Sequence, residues 1–214
     1  ETETFGIDPE KLQADLVRTA ERHGEGCFNK MTGRRIAAAL PVHVFGHPAK
    51  TARILQVLSG FGIPMLEDGA EALGSYFDGV HIGLDGICSV LSFNGNKIVT
   101  TGGGGAILSN DSDIVKQLKH LTSTGKLPHP YKFFHDRLAF NYRLPNINAA
   151  LGLAQLEVLP EFIRRKRALA KRYAEAFAPI DGVNFVSEPQ GAKSNYWLNA
   201  IILEKEYAPF RDTL

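Results

Sequence analysis

Cysteine is scarce: Cys27 and Cys88 are the two present in 214 residues. A pair so far apart gives neither a disulfide framework nor the close spacing of a zinc motif, and a reducing cytoplasm is the expected setting. Charge of one sign is also lacking, with 24 Lys and Arg against 23 acidic residues, so nothing draws the chain to nucleic acid or to a membrane surface. No apolar run reaches the roughly 18 residues that a membrane-spanning helix needs. The first 25 residues are polar and charged, so no signal peptide is visible. His43, His47, His81, His120, His129 and His135 are scattered without metal-ligand spacing, and no metal site is expected. Repeats and low-complexity tracts are missing. Small molecules and copies of the chain itself remain as partners.

What is present is patterned. A hydrophobic content of 44% supports a core in one domain or in one domain plus part of another. Asp8-Pro9 is a helix entry, with Leu12, Leu16 and Ala20 at helical spacing behind it. Residues 35 to 45 form an apolar run suited to a strand covered on both faces. A helix through Ile54, Leu55 and Leu58 is expected to stop at Gly60. Ile63 to Asp68 and Gly86 to Phe93 read as further strands, and the alternation implies a mainly parallel α/β sheet. Ile98 to Leu108 reads as two short strands around a bend in which Gly102 to Gly105 permit close backbone packing. Asp111 or Asp113 caps the next helix. Residues 122 to 147 hold Gly125, Pro128, Pro130 and Pro145 among aromatics and read as a long ordered loop or arm. Helices over 148 to 159 and 161 to 177, broken at Pro160, follow; the basic run Arg164 to Arg167 reads as a solvated helix face. Residues 183 to 204 look like strands of a smaller domain, with Tyr196 and Trp197 in its core or at an interface.

In parallel sheets the loops at the carboxyl ends of strands build the ligand crevice, and His43, Asp68 and Ser92 fall at such ends. Lys97 follows in the turn Ser92-Phe-Asn-Gly-Asn-Lys97, where an amine faces a crevice instead of solvent. A pyridoxal enzyme requires a lysine, a carboxylate against the pyridine nitrogen and donors for a phosphate; Lys97, Asp68 and Ser92 offer one of each. Glu71 lies on the side of Asp68 if the segment turns helically. Taken singly, each has a plainer reading, as a surface-turn lysine, a loop aspartate or a strand-end hydroxyl. The glycine cluster lacks the Lys-Ser/Thr ending of a P-loop.

The joint pattern is more specific. Leu66-Glu-Asp-Gly-Ala-Glu-Ala-Leu-Gly74, Ser92-Phe-Asn-Gly-Asn-Lys97 and Asn141-Tyr-Arg-Leu-Pro-Asn-Ile-Asn-Ala-Ala150 occur in that order. Together they closely resemble the DegT/DnrJ/StrS nucleotide-sugar aminotransferases over nearly the whole chain. The resemblance implies a fold-type-I pyridoxal 5'-phosphate (PLP) enzyme, homodimeric, that moves an amino group, usually from glutamate, to a keto sugar carried on a nucleotide diphosphate. It implies Lys97 as the Schiff-base lysine, Asp68 as the partner of the ring nitrogen, Ser92 as a phosphate ligand and Glu71 near the cofactor. Asn141 matches an asparagine that reaches the cofactor phosphate of the other subunit, which makes 122 to 147 a dimer arm. Arg143 and His43 are the expected substrate contacts.

Pro41-Val-His-Val-Phe-Gly-His-Pro48 and the Asn-Gly-Asn before Lys97 look like the branch that aminates C4 of UDP-linked 4-keto-6-deoxy-N-acetylhexosamines, as in legionaminic acid synthesis. Lys97 argues against the related dehydratases, which carry histidine there; four consecutive glycines depart from the more usual Gly-Glu-Gly-Gly. The same likeness divides the chain into residues 1–159, the central part of a PLP-binding large domain whose N-terminal part is missing, and 160–214, a linking helix and the start of a smaller α+β domain. It also marks the chain as the middle of a longer enzyme, one that begins at Glu1 after a mid-chain strand and stops at 211–214 in the start of a helix. The rival readings are a 3-keto-sugar aminotransferase, a non-catalytic nucleotide-sugar-binding module, and an ordinary α/β domain with accidental motif matches.

Overall fold

The computed structural model describes residues 3–213. Helix α1 (Pro9–Thr19) begins where the Asp-Pro pair predicts, because Asp8 accepts from the N–H groups of Glu10 and Lys11 at 3.0 Å each and proline at the first helical position has no N–H to satisfy. An antiparallel hairpin that the sequence reading lacked, β1 (Ala20–His23) and β2 (Gly26–Asn29), follows. Helix α2 (Thr51–Phe61) runs past Gly60 and is capped by Gly62, whose φ of +65° is the left-handed conformation that glycine adopts without strain. Leu16, Cys27, Ile54, Val57, Leu58, Ile63 and Met65 from these elements form the main apolar core.

The next strands in chain order are β3 (Leu66–Asp68), the short β4 (Tyr76–Phe77) and β5 (Val80–His81), β6 (Cys88–Ser92) and β7 (Gly105–Leu108). The central sheet has the order β3-β6-β7, with β3 and β6 parallel and β7 antiparallel to β6. The strand expected over 35 to 45 is reduced to parallel bridges from Ala39 to Met65 and from Val42 to Asp68. Pro41 has no N–H for a continuous ladder, and the chain leaves through a 3-10 turn at Val44–Gly46. The first of the two strands expected around the glycine bend is also missing. Its backbone groups are taken elsewhere: the Gln155 side-chain amide accepts from Thr100 N–H at 3.0 Å and donates to Thr100 O at 2.7 Å, and Thr101 N–H donates to Phe93 O at 2.9 Å. The close packing expected of the glycines is present at Gly105, where a Cβ would run into the Leu91 carbonyl.

Helix α3 (Ser112–Thr122) is capped by Asp111. The following arm carries backbone bonds between its two limbs, such as Leu127 N–H to Phe134 O at 2.8 Å. Helix α4 (Asn146–Glu157) and helix α5 (Leu159–Phe177) meet at Val158. Pro160 thus sits in the first turn of α5, where its missing N–H costs nothing, and does not break a helix. Beyond it come β8 (Val183–Phe185), β9 (Ala192–Lys193) and β10 (Ile201–Leu203). β8 pairs with β10 in a separate sheet, whereas β9 crosses back to pair with β4. Tyr196 and Trp197 lie in a buried turn and not in a strand, with Tyr196 at φ +48°. The helix start expected at 211–214 is a 3-10 turn at Ala208–Thr213, and Leu214 lies outside the described residues. No helix among the described residues is long and apolar enough to cross a membrane.

One buried carboxylate fixes this framework. Glu67 is fully enclosed and accepts from His43 Nε2 at 3.1 Å and from the N–H groups of Gly83, Asp85 and Gly86 at 2.9, 2.9 and 2.7 Å. His43 Nδ1 accepts from Ala49 N–H at 3.0 Å, so Nε2 carries the proton and donates to Glu67. This corrects the expectation that His43 contacts substrate: its side chain is wholly buried and both ring nitrogens are engaged in the core. Burial alone would raise the Glu67 pKa, but the hydrogen bonds from His43, Gly86 and Gly83 outweigh it and hold the carboxyl below its usual range. A depressed carboxylate pKa stabilises the fold above the unfolded-state value, and that stability is lost as pH falls through the folded-state value. Glu67→Ala, which strands one imidazole N–H and three backbone N–H groups, is expected to lower the unfolding free energy by about 3–5 kcal/mol in urea titration. Glu67→Gln should recover part of the loss.

Candidate active site

The parallel strands β3 and β6 end side by side, and the loops leaving them carry the residues of interest. Lys97 Nζ lies 3.6 Å from Glu71 Oε1, in a side chain only 12% exposed. The other Glu71 oxygen accepts from Phe45 N–H at 2.8 Å; Phe45 is held at φ +57°, a strained backbone that aims this donor. Asp68 Oδ1 accepts from Ala70 N–H at 3.0 Å, and no hydrogen bond from the described residues reaches its second oxygen. Ser92 Oγ accepts from Asn94 N–H at 3.3 Å, which leaves its hydroxyl proton free to donate. Of the residues singled out in the sequence, Lys97 and Glu71 are in direct contact, and Asp68 and Ser92 stand at the adjoining strand ends.

Asn141 and Arg143 lie elsewhere. Both are exposed on the arm, where Arg143 Nε donates to Asn141 Oδ1 at 2.9 Å. Arg143 also lines an apolar groove with Val90, Ile107, Leu118 and Tyr142, to which Lys97 does not contribute. Within one chain, then, neither residue meets Lys97.

Tyr196 and Trp197 are buried, as expected of core or interface residues, but the sequence reading missed that the segment Ser194–Trp197 packs against the loops of the site. Ser194 Oγ and Ser75 Oγ both donate to Gly46 O, at 2.9 and 2.7 Å, and Asn195 N–H donates to Ser75 Oγ at 2.9 Å. The Asn195 amide donates to Glu71 O and Leu73 O at 2.9 Å each, and Trp197 Nε1–H donates to Asn96 O at 2.8 Å. The signal available was a run of polar residues, Ser194 and Asn195, beside two large aromatics in a stretch read as a strand. The basic run divides instead of forming one solvated face. Arg164 and Arg165 pair with Glu161 in solvent, but Lys166 Nζ donates to Trp197 O at 2.8 Å and Arg167 grips Glu188 with two bonds of 2.6 and 2.8 Å.

His47 packs edge-on against Tyr196 at 5.1 Å, and its buried Nδ1 has no hydrogen-bond partner among the described residues. Burial pushes this imidazole from 6.5 down to about 4 against the pull of Glu188. A histidine held neutral in the fold and protonated in the unfolded chain makes stability fall as pH drops from about 6.5 toward 4. His47→Phe is expected to flatten the pH dependence of urea stability between about 6.5 and 4.5, where Glu67 still contributes in full because its unfolded-state value of 4.5 has not been crossed. A second prediction concerns Gly46, whose φ is +90° and whose Cβ would collide with the Asn195 amide, 2.9 Å from its carbon. Gly46→Ala should destabilise the protein by about 2 kcal/mol or more in the same titration.

A profile of the DegT/DnrJ/EryC1/StrS aminotransferase family matches residues 1–214. EpsN of Bacillus subtilis (strain 168), whose own assignment as a pyridoxal phosphate-dependent aminotransferase is provisional, is 35% identical over 98% of this chain and 51% of its own length. GDP-perosamine synthase of Vibrio cholerae is 34% identical over 97% of this chain and 54% of its own. The chain therefore spans about half the length of the curated relatives it matches. Among solved structures, the aminotransferase TlmJ of Streptoalloteichus hindustanus superposes with a TM-score of 0.79 at 30% identity, covering 85% of this chain and 49% of TlmJ. The α/β architecture is that of the fold-type-I PLP enzymes.

Proposed function

The chain belongs to the DegT/DnrJ/EryC1/StrS aminotransferase family, and from that premise we propose that it forms the cofactor-bearing part of a PLP-dependent sugar aminotransferase in which Lys97 bonds the cofactor. The observation that carries this reading is Lys97 itself, a lysine withdrawn from solvent in the loop after β6 with its amine 3.6 Å from Glu71. The neighbouring groups fit PLP in kind: Asp68 has a carboxylate oxygen uncommitted, and Ser92 has a hydroxyl proton to donate.

When bound, PLP supplies the electron sink that lets a carbon beside nitrogen lose a proton. Lys97 Nζ takes the proton from the α-carbon of the amino donor and returns one to the sugar carbon that gains nitrogen. With the cofactor bound, Asp68 would keep the ring nitrogen protonated through its uncommitted oxygen, Ser92 would donate to the phosphate, and Glu71 would contact the ring hydroxyl region or the substrate. Asn141 of the partner subunit adds a phosphate contact, and Arg143 belongs to the substrate side.

A homodimer is supported by surface chemistry. Helix α4 exposes Ile147, Leu151, Leu153 and Leu156 and buries only Gly152, and the arm leaves Tyr131 and Leu138 almost 90% exposed; such surfaces call for a partner. The junction of α4 and α5 supports division of the chain into residues 1–159 and 160–214. The site of action is the cytoplasm.

The acceptor we assign is C4 of a UDP-linked 4-keto-6-deoxy-N-acetylhexosamine, with glutamate as donor. Support comes from the Asn94-Gly95-Asn96 turn before Lys97, because the Pro41–Pro48 stretch is occupied with packing through His43, Gly46 and His47. The GDP-perosamine synthases among the relatives make a GDP-linked 4-keto sugar the acceptor to assay in parallel, and product analysis separates C4 from C3 amination. Purified protein with added PLP is expected to develop the visible band of lysine-bound pyridoxal, and borohydride reduction with peptide mapping should place the label on Lys97. Lys97→Ala should remove the label and cut amino transfer by about a thousandfold or more. A label on another lysine, or a Lys97→Ala enzyme that still turns over, overturns the assignment. Tight sugar binding with no band would instead indicate a non-catalytic binding module.

A further inference from the structure

Lys97 is held from a direction that its own sheet does not supply. Trp197 lies on the turn Ser194–Trp197 near the end of the chain, 100 residues on from Lys97, and meets it twice. The indole N–H donates to Asn96 O at 2.8 Å, fixing the carbonyl immediately before Lys97, and the indole face lies under Nζ at 3.9 Å from the ring centre. The third side of the amine is Glu71, at 3.6 Å.

Trp197 is itself anchored. Its N–H donates to Asn195 Oδ1 at 2.8 Å and its carbonyl accepts from Lys166 at 2.8 Å, while the same Asn195 amide donates to Glu71 O at 2.9 Å. One asparagine side chain therefore sets the spacing between the two walls of the slot in which the amine sits. The walls differ in chemistry. An indole face attracts a cation without offering a lone pair for its proton, and a carboxylate at 3.6 Å is beyond the optimum of a charged hydrogen bond. Both contacts hold the amine in place and neither locks it.

From this geometry we infer that Trp197 is a positioning residue for Lys97, giving the free amine a defined resting place between the indole and Glu71, from which it leaves to meet a carbonyl and to which it returns. Its bearing on catalysis rests on the proposed role of Lys97; the hold itself does not. The C-terminal region thus aims the lysine that the large domain carries.

Competitive acetylation of the cofactor-free protein with acetic anhydride, read by peptide mass spectrometry, tests the hold directly. The Lys97 signal is referred to Lys11, an exposed lysine on α1. Trp197→Leu is expected to raise the Lys97 to Lys11 ratio about three- to tenfold, the scale of one cation–π contact. Trp197→Phe, which keeps an aromatic face, should stay within about twofold of the parent protein. Thermal unfolding of both variants separates uncovering from collapse. A second readout spares Trp197, the one tryptophan among the 214 residues: Lys97→Met should change its emission while Lys11→Met leaves it unchanged.

An unchanged acetylation ratio in a folded Trp197→Leu variant, equal ratios in the Leu and Phe variants, or emission indifferent to Lys97→Met would each overturn the positioning role. The role of Lys97 is judged separately by borohydride mapping. PLP fixed on Lys97 with an unchanged acetylation ratio leaves the function standing and removes Trp197 from it; a raised ratio with PLP fixed elsewhere does the reverse.

Discussion

Everything at the crevice depends on one charge that never reaches it. The Glu67 carboxylate is buried with four donors converging on it, from His43, Gly83, Asp85 and Gly86. A buried carboxylate so satisfied is tolerated, and removal of a donor leaves the charge less well solvated by the protein. It ties the extended segment before the 3-10 turn, the end of β3 and the loop entering β6 into one unit. Side chains alternate along a strand, so anchoring Glu67 inward turns its neighbour Asp68 the other way, to the carboxyl-end crevice. The order Glu-Asp thus does two jobs in adjacent positions: the first residue sets the backbone and the second uses it.

The positions of the candidate residues were more legible in the sequence than the architecture around them. Asp68 and Ser92 end strands β3 and β6, and Glu71 and Lys97 stand in the loops that follow them, so their placement follows from local periodicity and spacing. His43 looked equivalent, a polar residue at a strand end, but the deciding fact was a glutamate 24 residues away, and single-sequence patterns do not report such pairings. The missing strand after Lys97 has the same origin. Its apolar and β-branched residues favour a ladder, and a glutamine on α4 takes the backbone groups that the ladder needed. Ser194 to Trp197 was misread as strand because large aromatics suit strands, whereas its polar atoms serve loops more than 100 residues away in sequence.

The two regions of the chain are therefore interleaved. Strand β9 joins β4, the Ser194–Trp197 turn fills the space beneath Gly46, and Arg167 on α5 and Glu188 after β8 brace that turn. The residues of the crevice come from the first region and much of their support from the second. His47 and Tyr196 meet at the same seam, which makes this junction sensitive to acid.

The Gln155 amide beside Thr100 joins two distant parts of the chain. It bonds both backbone groups of Thr100 as a neighbouring strand would, and it rises from α4, a helix whose apolar surface is mostly uncovered. Gln155 therefore ties α4 to the backbone three residues beyond Lys97, so that the uncovered helix and the turn that carries the amine are joined by one pair of hydrogen bonds.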